Sequence, residues 1–243
     1  MNILGIRVDN LTKTEVLEKV NEFLREEKIH QIATVNPEFI LKAQKDEEFK
    51  KILNSCDLNV ADGVGIKFAF WRYGQKLKTR IVGVDLTEDI LKIAEKDNIK
   101  IFLVANGGGL STWEETREAI LKKYPKLQVS GANLSSNITG YKLPIIDYSI
   151  ILCSFGAPFQ EKFLHSLKSQ ESAKIKLAIG VGGSFDYLTG KVKRAPRRMR
   201  QIGLEWLFRL LQEPRYRIKK IFNAVIIFPI KIIFSAKGGS ASG

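Results

Sequence analysis

The 243-residue chain (27.4 kDa) is 44% hydrophobic and 27% charged, a balance that excludes a disordered polypeptide. A chain this long buries roughly seven-tenths of its unfolded surface and needs neither disulfide nor structural metal. Cys56 and Cys153 lie in apolar stretches, with no CxxC and only two histidines, so they read as reduced core thiols and no zinc is expected.

The formal net charge of +13 is unevenly placed: residues 191–220 carry eleven Lys/Arg against Glu205 and Glu213. Such a block suits a phosphate-bearing partner: nucleic acid, an anionic membrane surface or a diphosphate substrate. The opening MNILGIRVDN has neither a basic n-region nor a long apolar core, so no signal peptide is expected and the protein is expected to stay in the cytoplasm.

In chain order, Thr12-Lys13-Thr14-Glu15 is a capping box, and Val16, Leu17, Val20, Phe23 and Leu24 follow at helical spacing. Residues 32–35 read as a strand, with Asn36-Pro37 as N-cap and first residue of the next helix. Residues 58–61 form a second strand ending at Asp62-Gly63, and Thr87 opens a helix through Ile90, Leu91 and Ala94. A strand at 101–105, a helix at 111–123, a strand near 127–130, an apolar run at 149–154, a helix through Phe163 and Leu167 and a strand at 177–181 complete the alternation. Apolar strands alternating with helices predict an α/β fold, a Rossmann-like, mostly parallel sheet covered by helices, over residues 1–190. Residues 191–234 read as a basic, amphipathic helical appendage, with one helix over 196–211, and residues 235–243 as a flexible tail. The run Ile221–Phe234 is too short to span a bilayer and is expected to lie in the membrane interface or dock on a partner.

Ligands of open α/β sheets collect at the carboxyl ends of strands, which directs attention to four junctions. Thr34-Val35-Asn36-Pro37-Glu38 places a hydroxyl and an amide at a helix start, although Asn36 also reads as a simple cap. Ala61-Asp62-Gly63-Val64-Gly65 ends a strand with a carboxylate able to take a proton from an attacking hydroxyl. Gly63 and Gly65 would let backbone approach a ligand, and Asp-Gly is also a common turn pair. Phe155–Glu161 brings Gln160 and Glu161 to a first helical turn, as ligand contacts or as dipole complements. The glycine-rich stretch Gly180–Asp186 suits phosphate and lacks Walker A spacing. Asn106-Gly107-Gly108-Gly109 lacks the third glycine of a dinucleotide fingerprint, and the chain has no GxSxG. The basic block lacks the interleaved aromatics of nucleic-acid surfaces, so a lipid-linked phosphate is the better match.

Taken together, TVNPE (34–38), ADGVG (61–65), RIVGVD (80–85), GAPFQE (156–161), GVGGSFDYLTG (180–190) and RAPRRMRQIGLEWLFRLLQEPRYR (194–217) resemble the WecG/TagA/CpsF family of bacterial glycosyltransferases. The resemblance implies an inverting hexosyltransferase that moves N-acetylmannosamine from UDP-N-acetylmannosamine to the 4-hydroxyl of undecaprenyl-diphosphate-linked N-acetylglucosamine in wall teichoic acid linkage-unit synthesis. UDP-N-acetylmannosaminuronic acid or another UDP-sugar is the alternative donor. It implies Asp62 as base, Thr34 and Asn36 holding donor sugar or acceptor, and Arg80 on the diphosphate or sugar. Gln160, Glu161, Gly182 and Gly183 would form the nucleotide pocket.

The chain contains no DxD sequence, so no metal or other cofactor is expected, and leaving-group charge falls to backbone N–H groups and arginines, with Arg194, Arg209, Arg215 and Arg217 as candidates. The expected partners are the UDP-sugar, the lipid-diphosphate-linked acceptor and the anionic inner face of the cell membrane, not nucleic acid. The apolar face around Trp206, Leu207 and Leu210 is open to three uses: the core, lipid or a second subunit in a homo-oligomer. A non-catalytic membrane- or nucleic-acid-binding module is the reading from a different class.

Overall fold

The computed structural model describes residues 1–136, 138, 147–169 and 174–235; the tail reading beyond Ser235 lies outside them. A short antiparallel pair, β1 (Asn2–Ile3) and β2 (Ile6–Arg7), precedes helix α1 (Lys13–Phe23), whose Thr12–Glu15 capping box forms as the sequence predicts. Then come β3 (His30–Val35), α2 (Pro37–Ala43), α3 (Glu47–Ser55), β4 (Leu58–Ala61), α4 (Val64–Arg72) and α5 (Gly83–Lys96). The second half continues with β5 (Ile101–Asn106), α6 (Trp113–Lys123), β6 (Val129–Leu134), β7 (Ile150–Cys153), α7 (Phe159–Ser166), β8 (Leu177–Gly180) and the short α8 (Ser184–Leu188). The appendage holds α9 (Arg197–Gln201), α10 (Glu205–Gln212), α11 (Pro214–Phe222) and α12 (Phe228–Phe234), the last two joined by a π-helical turn at Asn223–Ile227.

Strands β3 to β8 make one sheet in the order β4-β3-β8-β7-β5-β6, every neighbouring pair parallel. The α/β expectation holds. Parallel pairing puts the carboxyl ends of all six strands on one edge, and burial on both faces explains the near-continuous apolar sequences of β5, β7 and β8. On β5, Ile101, Leu103 and Ala105 join the core under α1, α5 and α6, whereas Phe102 and Val104 join the core under α7. On β3, Ile32 faces the first of these cores, and Ala33 and Val35 face a third beneath α2, α3 and α4. Cys56 and Cys153 are buried free thiols.

The structure departs from the sequence reading at four places. Helix α5 begins at Gly83, not Thr87, because the Thr87 hydroxyl bonds back to the Gly83 carbonyl (2.9 Å) inside the helix instead of capping it. Strand β6 lies at Val129–Leu134; as a half-exposed edge strand with Ser130, Gly131 and Asn133, it offers no apolar run to read. The helix predicted over 196–211 is two helices, broken where Gly203 takes φ +81°. Finally, Ile221–Phe234 does not lie wholly at an outer surface: Phe228 and Ile232 are fully buried in the core beneath α2, α3 and α4, and Arg72 and Tyr73 of α4 bond to Ile233 and Ser235. Its other side, including Phe222, Ile226, Ile230 and Phe234, remains exposed.

Candidate functional site

The carboxyl end of the sheet assembles the site. Where β4 ends, the Asp62 N–H donates to the Val35 carbonyl of β3 (2.8 Å), and the following loop returns so that the Ile81 N–H donates to the Ala61 carbonyl (2.9 Å). These bonds bring the Asp62 carboxylate to the first turn of α5, where it accepts from the Gly83 N–H. Thr34, buried at the end of β3, lies against Gly83, whose absent Cβ would sit 3.6 Å from the Thr34 hydroxyl. Asn36 caps α2, its side-chain oxygen accepting from the Phe39 N–H (3.1 Å). Neither N-cap residue, Gly63 of α4 or Val82 of α5, offers a side-chain cap, so apart from the Gly83 N–H given to Asp62 the first-turn N–H groups of two helices lie beside the carboxylate.

Burial pushes the Asp62 carboxyl up to about 6; the Arg80 charge, the Gly83 N–H and Arg209 pull it down, and Glu205 adds to the rise. The group is thus ionised at neutral pH yet basic enough to take a proton. Arg80 is held by the Arg200 carbonyl (2.8 Å) at the end of α9. Gly203 rests on the same place: a Cβ there would strike Val64 Cγ1 at 2.3 Å and approach Arg80 Nη1 at 3.3 Å, and its φ of +81° also favours glycine. Arg80 therefore joins the core crevice to the appendage.

On the other side of the crevice, Gln160 and Glu161 are 2% and 1% exposed, and their side chains turn inward. The Gln160 carbonyl oxygen accepts from both the Gly156 N–H (3.0 Å) and the Gly182 N–H (3.1 Å), and its amide donates to Glu161 Oε1 (2.7 Å). They shape the pocket by pinning the loops after β7 and β8. Burial raises the Glu161 carboxyl to about 7, and its second oxygen has no partner. Gly65 has a different reason from ligand approach: a Cβ there would meet Pro37 Cγ at 2.5 Å, so it permits α4 to pack against α2. Gly63 is the N-cap residue of α4.

The appendage arginines divide. Arg194 pairs with Asp85 in the first turn of α5 (2.5 Å), and Arg209 reaches the Gly182-Gly183 loop, its Nη2 3.4 Å from where a Gly183 Cβ would be. Arg217 is half-buried and paired with Glu213 (2.6 Å), whereas Arg215 is exposed on α11. Trp206, Leu207 and Leu210 are half-buried. The sequence reading assigned no role to Asp85, Glu205 or Tyr187; all three stand inside motifs it singled out, and the long-range pairings that make them matter leave no mark on local spacing.

A sheet edge with a carboxylate, an arginine bridge and a glycine-rich loop suits transfer to a hydroxyl with a charged leaving group. The family model described as "Glycosyl transferase WecG/TagA/CpsF family" matches residues 1–241. The chain belongs to this family. As a WecG/TagA/CpsF glycosyltransferase it is 29% identical over 238 residues to the N-acetylglucosaminyldiphosphoundecaprenol N-acetyl-beta-D-mannosaminyltransferase of Staphylococcus aureus (strain MRSA252), covering 96% of this chain and 91% of that protein. It is 30% identical over 196 residues to the Bacillus subtilis (strain 168) protein of the same name, covering 79% of this chain and 75% of the relative. The sequence-level resemblance is therefore to the right family, and the chain is a glycosyltransferase.

Proposed function

We propose that this glycosyltransferase moves N-acetylmannosamine from UDP-N-acetylmannosamine to the 4-hydroxyl of undecaprenyl-diphosphate-linked N-acetylglucosamine, with inversion and without a metal ion. The names of the relatives supply the sugar moved and the lipid-linked acceptor; the observation that carries the chemistry is the Asp62 carboxylate, raised to about 6 where β4 ends beside Arg80. In the proposed step the acceptor oxygen attacks the anomeric carbon as the bond to UDP breaks. Asp62 takes the hydroxyl proton, and the departing diphosphate carries away the bonding electrons. Thr34 and Asn36 orient the reacting sugar. Arg80, Arg194, Arg209, the uncapped starts of α4 and α5 and the Gly182-Gly183 loop meet the negative charge, a set of donors held in place before the reaction begins.

The lipid-linked acceptor requires the crevice to sit near a bilayer. No helix among the described residues is long and apolar enough to cross a membrane. Exposed Phe222, Ile226, Ile230 and Phe234, with Lys219 and Lys231 nearby, support peripheral attachment to the anionic inner face. The test is a transfer assay with purified protein, a panel of UDP-sugars and a short-chain lipid-diphosphate acceptor, with and without EDTA. The proposal expects a β-linked product from UDP-N-acetylmannosamine, undiminished by chelator. Transfer from UDP-N-acetylmannosaminuronic acid alone would replace the donor, and EDTA-abolished turnover would remove the arginine-based account.

A further inference from the structure

Tyr187 stands on α8, one short turn beyond the Gly182-Gly183 loop, and no step described so far uses it. Two guanidinium groups lie over its ring: Arg209 Cζ is 5.0 Å from the centroid and Arg194 Cζ 5.7 Å. Both arginines come from the appendage, whereas the tyrosine belongs to the core, so the ring is the place where the two parts of the chain meet over the glycine loop.

The polar atoms around this stack are unusual in being unspent. Tyr187 Oη, Arg194 Nε and Nη2 and Arg209 Nε are all buried without a hydrogen-bond partner. Glu205 pairs with Arg194 Nη2 only at 3.7 Å, an ion pair too long for a hydrogen bond. The other ionic partners, Asp85 and Glu213, are engaged by Arg194 Nη1 and by Arg217. Burying a donor unpaired is costly, and protein interiors seldom tolerate several together. The unspent guanidinium atoms are donors only, and the tyrosine adds one more O–H. What satisfies such a set, beside a glycine loop that Arg209 also reaches, is a ligand rich in acceptor oxygens and negative charge: a diphosphate ester. Desolvation raises the Tyr187 hydroxyl above its ordinary range, which keeps its proton in place to be donated.

We propose that Tyr187 is a substrate-binding residue of this enzyme, its hydroxyl donating to an oxygen of the diphosphate while its ring sets Arg194 and Arg209 for the same group. This rests on the glycosyltransferase reading above and adds a residue to it. The diphosphate is that of the nucleotide sugar or of the lipid-linked acceptor, and the chemistry is shared.

Two variants and three probes separate the roles. Tyr187→Phe keeps the ring and removes the hydroxyl; Tyr187→Leu removes both. Binding of UDP, farnesyl diphosphate and uridine is measured by calorimetry, or by saturation-transfer NMR for uridine, with thermal melts as the folding check. A charge-assisted hydrogen bond predicts that Tyr187→Phe weakens one diphosphate by about tenfold, leaves uridine unchanged and melts like the parent. Tyr187→Leu should weaken the same diphosphate further. Loss confined to UDP assigns the pocket to the donor, and loss confined to farnesyl diphosphate assigns it to the acceptor. Unchanged affinity of Tyr187→Phe for both diphosphates, or equal loss for UDP and uridine, overturns the proposal. If the parent protein transfers sugar while Tyr187→Phe binds like it, only this inference fails; if the parent binds no diphosphate and transfers nothing, both readings fail.

Discussion

Replacing Asp62 with asparagine should cut turnover by orders of magnitude and, at neutral pH, make the protein more stable. The Asp62 carboxyl has an ordinary value of 3.8 and is pushed up to about 6 by burial. At 1.36 kcal/mol per unit this is roughly 3 kcal/mol of preference for the neutral form, and because Asp62 is only partly buried, about 1–3 kcal/mol is expected. The folded state binds this proton more tightly than the unfolded chain. Stability from the site is therefore fully present below about pH 4 and is lost as pH rises through about 6. Asparagine does not titrate, and its oxygen still accepts from the Gly83 N–H.

The melting temperature of Asp62→Asn should thus exceed that of the parent by about 2–12 °C near neutral pH, at about 2–4 °C per kcal/mol for a chain of this size. The gap should shrink as pH falls towards about 5. Removing the general base should cost about 10²–10⁴ in rate, and the parent's kcat/KM should climb as pH passes about 6. Thermal melts at two pH values, together with the transfer assay, test all of this. A variant that melts at or below the parent near neutral pH, or a gap independent of pH, would refute the burial argument, and retained turnover would refute Asp62 as base.

Three further outcomes follow from the packing. Gly65→Ala drives a methyl to 2.5 Å from Pro37 Cγ, so it should cost about 1–3 kcal/mol, seen as a lower melting temperature. Phe228→Ala should cost about 3–5 kcal/mol by emptying a fully buried position against α4, and should speed protease cleavage within 221–234; cleavage at the parent's rate would contradict the docking of α12. Gln160→Leu strips the shared acceptor from the Gly156 and Gly182 N–H groups. At about 1–3 kcal/mol for each stranded donor it should lower both stability and affinity for UDP, measured by melts and calorimetry.

Where local chemistry decides structure, the sequence was readable. The capping box at Thr12 and the Asn36 cap both form, and Asp62 does terminate a strand. Thr87 misled because a hydroxyl bonding back to a carbonyl four residues earlier and a hydroxyl capping a helix start look alike until the preceding turn is known. The segment Ile221–Phe234 is apolar at all but a few positions, so periodicity could not say which residues meet α4 and which meet solvent; Phe228 and Ile232 are selected by contacts across more than 150 residues. The same limit hid Tyr187, whose importance comes from arginines placed over it by the fold of a later segment. Gln160 and Glu161 were legible as occupants of a junction, yet their inward orientation depends on β3 and β8 lying alongside.

The appendage is fastened to the core at two separated points, by Gly203 seated on Val64 at one and by Phe228 and Ile232 sunk beneath α4 at the other. The stretch between them runs as a strap that lays Arg209 over Tyr187 and the Gly182-Gly183 loop. Its guanidinium groups are consequently delivered as neighbours of the crevice at a high effective concentration, whatever the abundance of the protein in the cell. Cutting the chain after residue 190 would do more than discard this strap: it would leave an oily hollow where two side chains had been.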